Sequence, residues 1–201
     1  MDITDYIVKS SKTAIYPSQK TLGGLDYVIM GMGGEAGEVS EILKKVVRDS
    51  NGFIVDIDRV IGEISDILWY WSQIMVETQG KFEDKFDVDS FQKDIAVVVE
   101  LGKLEISDPE LIGQLTDLMK HFYICYGKIC EEYVKVNSQE SYIVVCRTIS
   151  NINVEVLKIL AGFLTVMGVK LSTAMQGNLD KLSARMKAGK IGGSGEELHE
   201  R

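Results

Sequence analysis

Four carboxylates with matched spacing are the residues in this sequence best suited to do chemistry. Glu35 and Glu38 are three residues apart, and Glu63 and Asp66 repeat that spacing. On a helix, two side chains at this spacing project from the same side. Four converging carboxylates repel one another and resist leaving water, so a cation has to lie among them. Oxygen ligands without histidine or thiolate favour Mg²⁺, with Mn²⁺ as the alternative, over Zn²⁺.

Glycines beside the first carboxylate pair favour this interpretation over its alternative, in which the acids only form a solvated helix face. Within a helix each glycine costs about 1 kcal/mol relative to alanine. Glycine is useful there if another backbone or a ligand comes close. Since Mg²⁺ completes its coordination with water and substrate phosphates, we expect a phosphorylated ligand. The glycines are Gly31, Gly33, Gly34 and Gly37.

Apolar periodicity places the two carboxylate pairs on neighbouring helices. One apolar stripe recurs in steps of three and four from about Leu25 to Arg48, and a second runs from about Asp56 to Thr78. Asn51-Gly52 breaks the pattern between them. Such a short connection makes the two helices antiparallel neighbours, so each carboxylate pair can face the other across their interface.

Helical patterns also cover residues 91–104, 109–136, 140–168 and 171–187. Only two prolines occur, so long uninterrupted helices are permitted almost everywhere. The predicted fold class is all-α, a helical bundle forming a single domain over residues 1–201. The glycine-rich end of the chain, residues 189–201, is predicted to be a flexible tail or a mobile flap over a ligand.

Composition narrows the function classes further. The formal net charge of −8 argues against a nucleic-acid binder, because phosphate backbones require a basic surface. The three cysteines show no Cys-x-x-Cys spacing and are expected to be reduced. With neither a leader pattern nor an apolar run long enough to span a bilayer, a cytoplasmic protein without membrane association is expected.

Ordered motifs around the carboxylates resemble a known family. They read TAIYP (13–17), Tyr27, GMGGEAGEV (31–39), KKVVRD (44–49), GEISDILWY (62–70), NLDKLSAR (178–185) and GGSG (192–195). In order and spacing they are similar to the MazG-like nucleotide pyrophosphohydrolases, of the all-α NTP pyrophosphatase superfamily. The resemblance covers about residues 13–79 and 156–201.

This resemblance implies a helical bundle of the MazG-like type and a small-molecule nucleotide substrate. The implied reaction is hydrolysis of a nucleoside triphosphate to the monophosphate and pyrophosphate. The implied Mg²⁺ ligands are Glu35, Glu38, Glu63 and Asp66. Bound metal would neutralise phosphate oxygens and lower the pKa of a coordinated water. We assign Glu38 as the general base that accepts the water's proton.

Several further residues are candidates for contact with the substrate. Asn178, Lys181 and Arg185 fall at i, i+3 and i+7, on one face of the last helix, where the cations would grip phosphates. The alternative is an ordinary helix end, where cations are favoured by the helix dipole. Lys45 is predicted to contact a phosphate or to moderate the acidic field. Trp69 would stack on a base or pack into a second helix interface.

Residues 81–155 have no counterpart in short members of the family. They are either an insertion of helices or a degenerate duplication, in which 61–68 aligns with 153–160. In that alignment Glu155 matches Glu63, and Lys158 replaces Asp66. The extra helices would bury surface that shorter relatives cover by self-association. A homo-oligomer, dimer or tetramer, remains the expected assembly.

Three other functions compete with a general triphosphate pyrophosphohydrolase. The nearest is a narrow-specificity dUTP or dCTP diphosphatase. Another is a non-catalytic helical regulatory protein with a vestigial site. A carboxylate-bridged di-iron bundle is weaker, because the sequence has no Glu-x-x-His pairs.

Overall fold

The computed structural model describes residues 1–49, 56–80 and 109–190, and every regular element in these ranges is an α-helix. The all-α prediction is therefore confirmed. The predictions for Asn51-Gly52, for residues 81–108 and for the tail beyond residue 190 lie outside these ranges. The helices are α1 (Ile3–Ser11), α2 (Leu22–Arg48), α3 (Ile57–Glu77), α4 (Pro109–Tyr133), α5 (Gln139–Val166) and α6 (Leu171–Lys187).

Helix α1 is one that the apolar periodicity did not predict, because it is only nine residues long and mostly polar. The side chain of Asp2 caps it by accepting a hydrogen bond from the backbone of Asp5 at 2.7 Å. Its buried residues are Ile3, Tyr6 and Ser10, at steps of three and four along one face. That face packs α1 against α3 and α6.

Helices α2 and α3 form the antiparallel pair that the sequence predicts. Tyr70, late in α3, lies against Gly31, early in α2. At the other end of the pair, Arg59 of α3 lies 3.8 Å from Glu38 of α2. The predicted stripe of α2 is buried along its length: Ile29, Met32, Ala36, Val39, Leu43 and Val46.

A second pair, α4 and α5, is joined by the short connection 134–138 and packs against the first. Reciprocal hydrogen bonds fix the contact between α3 and α5. The Trp71 indole donates to the Asn153 carbonyl at 2.7 Å, and the Asn153 amide donates to the Trp71 carbonyl at 2.9 Å. All four groups lie in the core, where paired polar groups specify one alignment of the helices. Residues 109–155, the described part of the middle segment 81–155, therefore contribute side chains to the hydrophobic core.

Two of the four glycines in α2 are close to protein side chains. A Cβ atom at Gly31 would overlap the ring of Tyr70, and one at Gly33 would overlap the hydroxyl of Tyr126. Gly34 and Gly37 instead face open space. The predicted close approach is therefore made by aromatic rings of α3 and α4 at Gly31 and Gly33.

Within the described ranges one helix, α5, is long and apolar enough to cross a membrane on length and composition alone. However, 61% of its apolar window is buried inside the fold. It packs against α3, α4 and α6. Because a core helix meets the same criterion, the absence of membrane association remains a prediction.

We expect Gly31→Ala and Gly34→Ala to change stability in opposite directions. The new methyl at position 31 has to displace the Tyr70 ring, and such overpacking costs about 1–3 kcal/mol. At position 34 the methyl meets open space, and the helix gains about 0.5–1 kcal/mol. Urea unfolding of both variants measures the difference. Equal stability of the two would contradict the packing of Tyr70 on Gly31.

Candidate metal centre

Three of the four predicted carboxylates converge between α2 and α3. Glu35, Glu63 and Asp66 each present an oxygen that lies within 4.8 Å of those of the other two. All three side chains are partly buried. Glu63 and Asp66 share a face of α3 because they are three residues apart, and α2 brings Glu35 opposite them. We call these three residues the acidic cluster.

Repulsion and burial perturb the acidic cluster in the way the sequence predicts. Burial raises the pKa of Glu35 to about 7, with further contributions from the charges of Asp66 and Glu63, while Lys181 acts in the opposite direction. The pKa of Glu63 is also raised, first by burial and then by Asp66. The charged forms of Glu35 and Glu63 are therefore disfavoured in the folded protein.

Helix α6 brings two groups onto Asp66. The Lys181 ammonium lies 2.5 and 2.6 Å from the two carboxylate oxygens, and the Asn178 amide donates to one of them at 3.1 Å. The other end of the Asn178 amide accepts a hydrogen bond from Tyr6 of α1 at 3.0 Å. Both ends of the Asn178 amide are thus used within the protein, where it positions Asp66. Its predicted contact with substrate remains a prediction.

Glu38, the fourth predicted ligand, lies outside the acidic cluster. Its side chain is 57% exposed, and its carboxylate lies 3.8 Å from Arg59. Arg59 also lies 3.8 Å from Glu63, so one cation spans the edge of the site. Exposed ion pairs of this length contribute little to stability. Glu38 is therefore free to exchange its partner for water or a ligand.

Two of the predicted phosphate contacts are placed away from the acidic cluster. The Lys45 ammonium lies 3.3 Å from Glu41 of the same helix. Arg185 is exposed on α6, one turn beyond Lys181. In the ranges that the structure describes, neither side chain forms an ion pair with the cluster. Only Lys181, among the predicted cations, is in contact with it.

An aromatic group continues the α2–α3 interface beyond the acidic cluster. Tyr16 stacks on Tyr27 with ring centres 5.0 Å apart and meets Trp69 edge-on at 6.2 Å. Trp69 in turn meets Tyr70 edge-on at 5.0 Å, and its indole donates to Thr13 at 2.9 Å. Trp69 is thus packed among protein groups, whereas Tyr27 is 45% exposed. We call Tyr16, Tyr27, Trp69 and Tyr70 the aromatic wall.

A buried carboxylate that the sequence did not single out holds the aromatic wall in place. Glu77, at the end of α3, accepts hydrogen bonds from the Tyr16 hydroxyl and the Lys20 backbone, both at 2.6 Å. Lys20 has a φ of 59°, in the left-handed region, so Glu77 fixes a strained turn. Glu77 follows an apolar run like any helix-end acid, and no sequence signal marks it as buried.

The acidic cluster fits a hard divalent cation. Its donors are carboxylate oxygens from two helices, at separations that one ion can bridge, and neither histidine nor cysteine is among them. Mg²⁺ and Mn²⁺ both take such ligands. Burial, and then repulsion by the neighbouring carboxylates, raises the pKa of Glu35 and Glu63, and a bound cation would favour their charged forms.

Part of the chain is similar to a phage protein. The Gene 37 protein of Mycobacterium phage L5 is 39% identical to it over an alignment of 79 residues, and the match covers 37% of this chain and 69% of that protein. No family model matches the chain. No solved structure matches it either.

Glu35→Gln is expected to stabilise the metal-free protein above neutral pH. The folded-state pKa of about 7 lies above the ordinary value of 4.5, so Glu35 costs stability progressively as pH rises from 4.5 to 7. Glutamine removes that cost, on the order of 2 kcal/mol at pH 8. Urea unfolding in chelator at pH 4.5 and pH 8 measures it, with the exposed-site variant Glu41→Gln as control. A Glu35→Gln protein less stable than wild type at pH 8 would contradict the repulsion.

Proposed function

This chain belongs to the family of the Gene 37 protein of Mycobacterium phage L5, and we propose that it is a Mg²⁺-dependent nucleoside triphosphate pyrophosphohydrolase. The observation that carries the proposal is the convergence of Glu35, Glu63 and Asp66 within 4.8 Å. A divalent cation would relieve the repulsion among these carboxylates, and Mg²⁺ at such a site commonly binds substrate phosphates as well.

Contacts between distant motifs support the resemblance to the MazG-like family. The motif 62–70 meets 31–39 through the acidic cluster and meets 178–185 through the ion pair of Asp66 with Lys181. It meets 13–17 through the hydrogen bond from Trp69 to Thr13. Motifs spread over most of the chain thus contribute to one side of the bundle. Such an arrangement is expected if the motifs together form a single site.

We assign Glu35, Glu63 and Asp66 to the metal, with Mn²⁺ as an alternative to Mg²⁺. When bound, the ion supplies charge neutralisation and Lewis acidity toward the phosphate oxygens. The protein's own contribution is positional. Asn178 holds Asp66, and the α2–α3 packing holds Glu35 opposite Glu63. Both contacts hold the ligand carboxylates in position before the substrate arrives.

Glu38 is assigned as the general base. Hydrolysis adds one water across the α–β phosphoanhydride, so the monophosphate and pyrophosphate leave, and one proton of the water has to be accepted. Glu38 is exposed and lies outside the acidic cluster, so its carboxylate is available for that proton. As a fourth metal ligand, its other assigned role, it would first have to move toward the cluster.

The aromatic wall is assigned to the nucleobase. Tyr27 precedes Glu35 by eight residues on α2, which places it about 12 Å along the helix from the acidic cluster. Its exposed ring rests on Tyr16 and offers a surface for stacking. Within the aromatic wall, Trp69 contacts Tyr16 and Tyr70, and a direct base contact by Trp69 stays a prediction. Because stacking on an aromatic ring is available to every base, the choice of substrate is left to experiment.

A panel of the common NTPs and dNTPs, each with and without Mg²⁺, tests the proposed activity. We expect monophosphate and pyrophosphate in equal amounts, in the presence of Mg²⁺ only. Chromatography of both products measures this. Turnover confined to dUTP or dCTP would select the narrow-specificity alternative. Folded protein that hydrolyses none of them would overturn the proposal.

Glu38→Gln is expected to reduce kcat by about 10²- to 10⁴-fold, since a general base contributes on that scale. The matched control is Glu41→Gln, three residues further along α2, because Glu41 is paired with Lys44 and Lys45. The control should stay within a few-fold of wild type. Equal activity of the two variants would exclude Glu38 as the general base. It is also the result expected if the protein is a non-catalytic regulatory protein.

A further inference from the structure

Lys181 contacts both oxygens of Asp66, one of the three carboxylates assigned to the metal. Its ammonium lies 2.5 Å from one oxygen of the Asp66 carboxylate and 2.6 Å from the other. The Asn178 amide takes a further position on the first oxygen. These contacts use three of the roughly four acceptor positions of the carboxylate, and the ammonium charge repels a second cation at either oxygen. Metal binding at Asp66 is therefore opposed by Lys181.

We propose that Lys181 is an internal counter-ion that competes with the metal for Asp66 in the free protein and transfers to the substrate's phosphates when the nucleotide binds. The inference rests on the proposed function, since the triphosphate is the second partner for Lys181. It makes metal binding and nucleotide binding mutually dependent. Metal alone has to displace a bound ammonium, whereas metal arriving with a triphosphate leaves Lys181 with another anion.

The two contacts from α6 to Asp66 differ in how easily they are broken. Asn178 is buried and tied to Tyr6, so its amide cannot leave without disturbing α1. Lys181 is one turn further along, its side chain is 33% exposed, and the four-carbon stem of a lysine is flexible. Asn178 thus keeps Asp66 in position after Lys181 has moved.

Charge supports the same exchange. The acidic cluster contains three carboxylates, of which Asp66 is paired with Lys181, while Arg59 lies 3.8 Å from Glu63. A divalent ion would take over the role of Lys181 with twice the charge. Once released from Asp66, Lys181 would pair with the phosphates of the bound triphosphate, since ammonium groups commonly bind phosphate.

Isothermal titration calorimetry of the full chain with Mn²⁺, in the absence of nucleotide, tests the inference. Lys181→Met removes the competitor, so we expect Mn²⁺ to bind at least fivefold more tightly than to wild type, the lower range of a typical coupling between sites. Lys187→Met changes the net charge equally on the same helix and should leave the affinity within twofold of wild type. Lys181→Arg retains a paired cation and should also bind Mn²⁺ weakly.

A second titration adds a non-hydrolysable triphosphate analogue. Wild type should bind Mn²⁺ more tightly with the analogue than without it, and Lys181→Met should show a smaller gain. Unchanged or weaker Mn²⁺ binding by Lys181→Met, with Lys181→Arg behaving identically, would overturn the inference and make Lys181 structural.

Failure of this inference is distinguishable from failure of the proposed function. Tighter Mn²⁺ binding by Lys181→Met in a protein that hydrolyses no nucleotide supports the counter-ion and overturns the enzyme. Hydrolysis by wild type with no change in Mn²⁺ affinity in Lys181→Met overturns the counter-ion alone. No Mn²⁺ binding by any of the proteins, either with or without the analogue, overturns both.

Discussion

Electrostatic repulsion among Glu35, Glu63 and Asp66 is the constraint on which the rest of the structure depends. A protein of this size is stable by only about 5–15 kcal/mol, so holding like charges together at the edge of a core takes an appreciable part of that margin. Two features reduce this cost. Burial raises the pKa of Glu35 and Glu63, so these carboxyl groups take up protons more readily, and Lys181 offsets the charge of Asp66. A site that is costly to build suggests that function, and not stability, maintains it.

The scaffold around the acidic cluster is correspondingly well connected. Asp66 is held by Asn178, which is held by Tyr6, so α1, α3 and α6 are joined through one chain of hydrogen bonds. One turn further on, Trp71 and Asn153 fix α3 to α5. Such contacts specify where α3 lies relative to its neighbours, and apolar packing alone would permit small slips along the helix axes. These contacts therefore set the geometry of the acidic cluster.

The sequence predicted the elements of this arrangement better than their orientation. Long helices with regular apolar stripes, α2 and α3 above all, follow from a periodicity of 3.6 residues, and their short connection implies an antiparallel pair. The spacing of Glu35 and Glu38 places both on one side of α2, but about 60° apart around its axis. Which of them faces α3 depends on how the two helices cross. In the structure Glu35 faces Glu63 and Asp66, whereas Glu38 is 57% exposed and lies beside Arg59 at the start of α3.

Other features of the site depend on contacts between residues far apart in sequence. Asn178 looked like a substrate contact because it shares a helix face with Lys181, yet its amide is used to position Asp66. Glu77 gives no local signal, since its partners Tyr16 and Lys20 precede it by more than fifty residues. Helix α1 is too short for periodicity to reveal it, although it carries the tyrosine that fixes Asn178.

The most direct test of the metal centre is an anomalous diffraction experiment on crystals grown with Mn²⁺ and a non-hydrolysable nucleoside triphosphate. Our account predicts an anomalous peak at bonding distance from the carboxylate oxygens of Glu35, Glu63 and Asp66. Lys181 should then be withdrawn from Asp66 and directed at the triphosphate. A well-occupied nucleotide with no Mn²⁺ peak at these carboxylates, and with Lys181 still paired to Asp66, would contradict it.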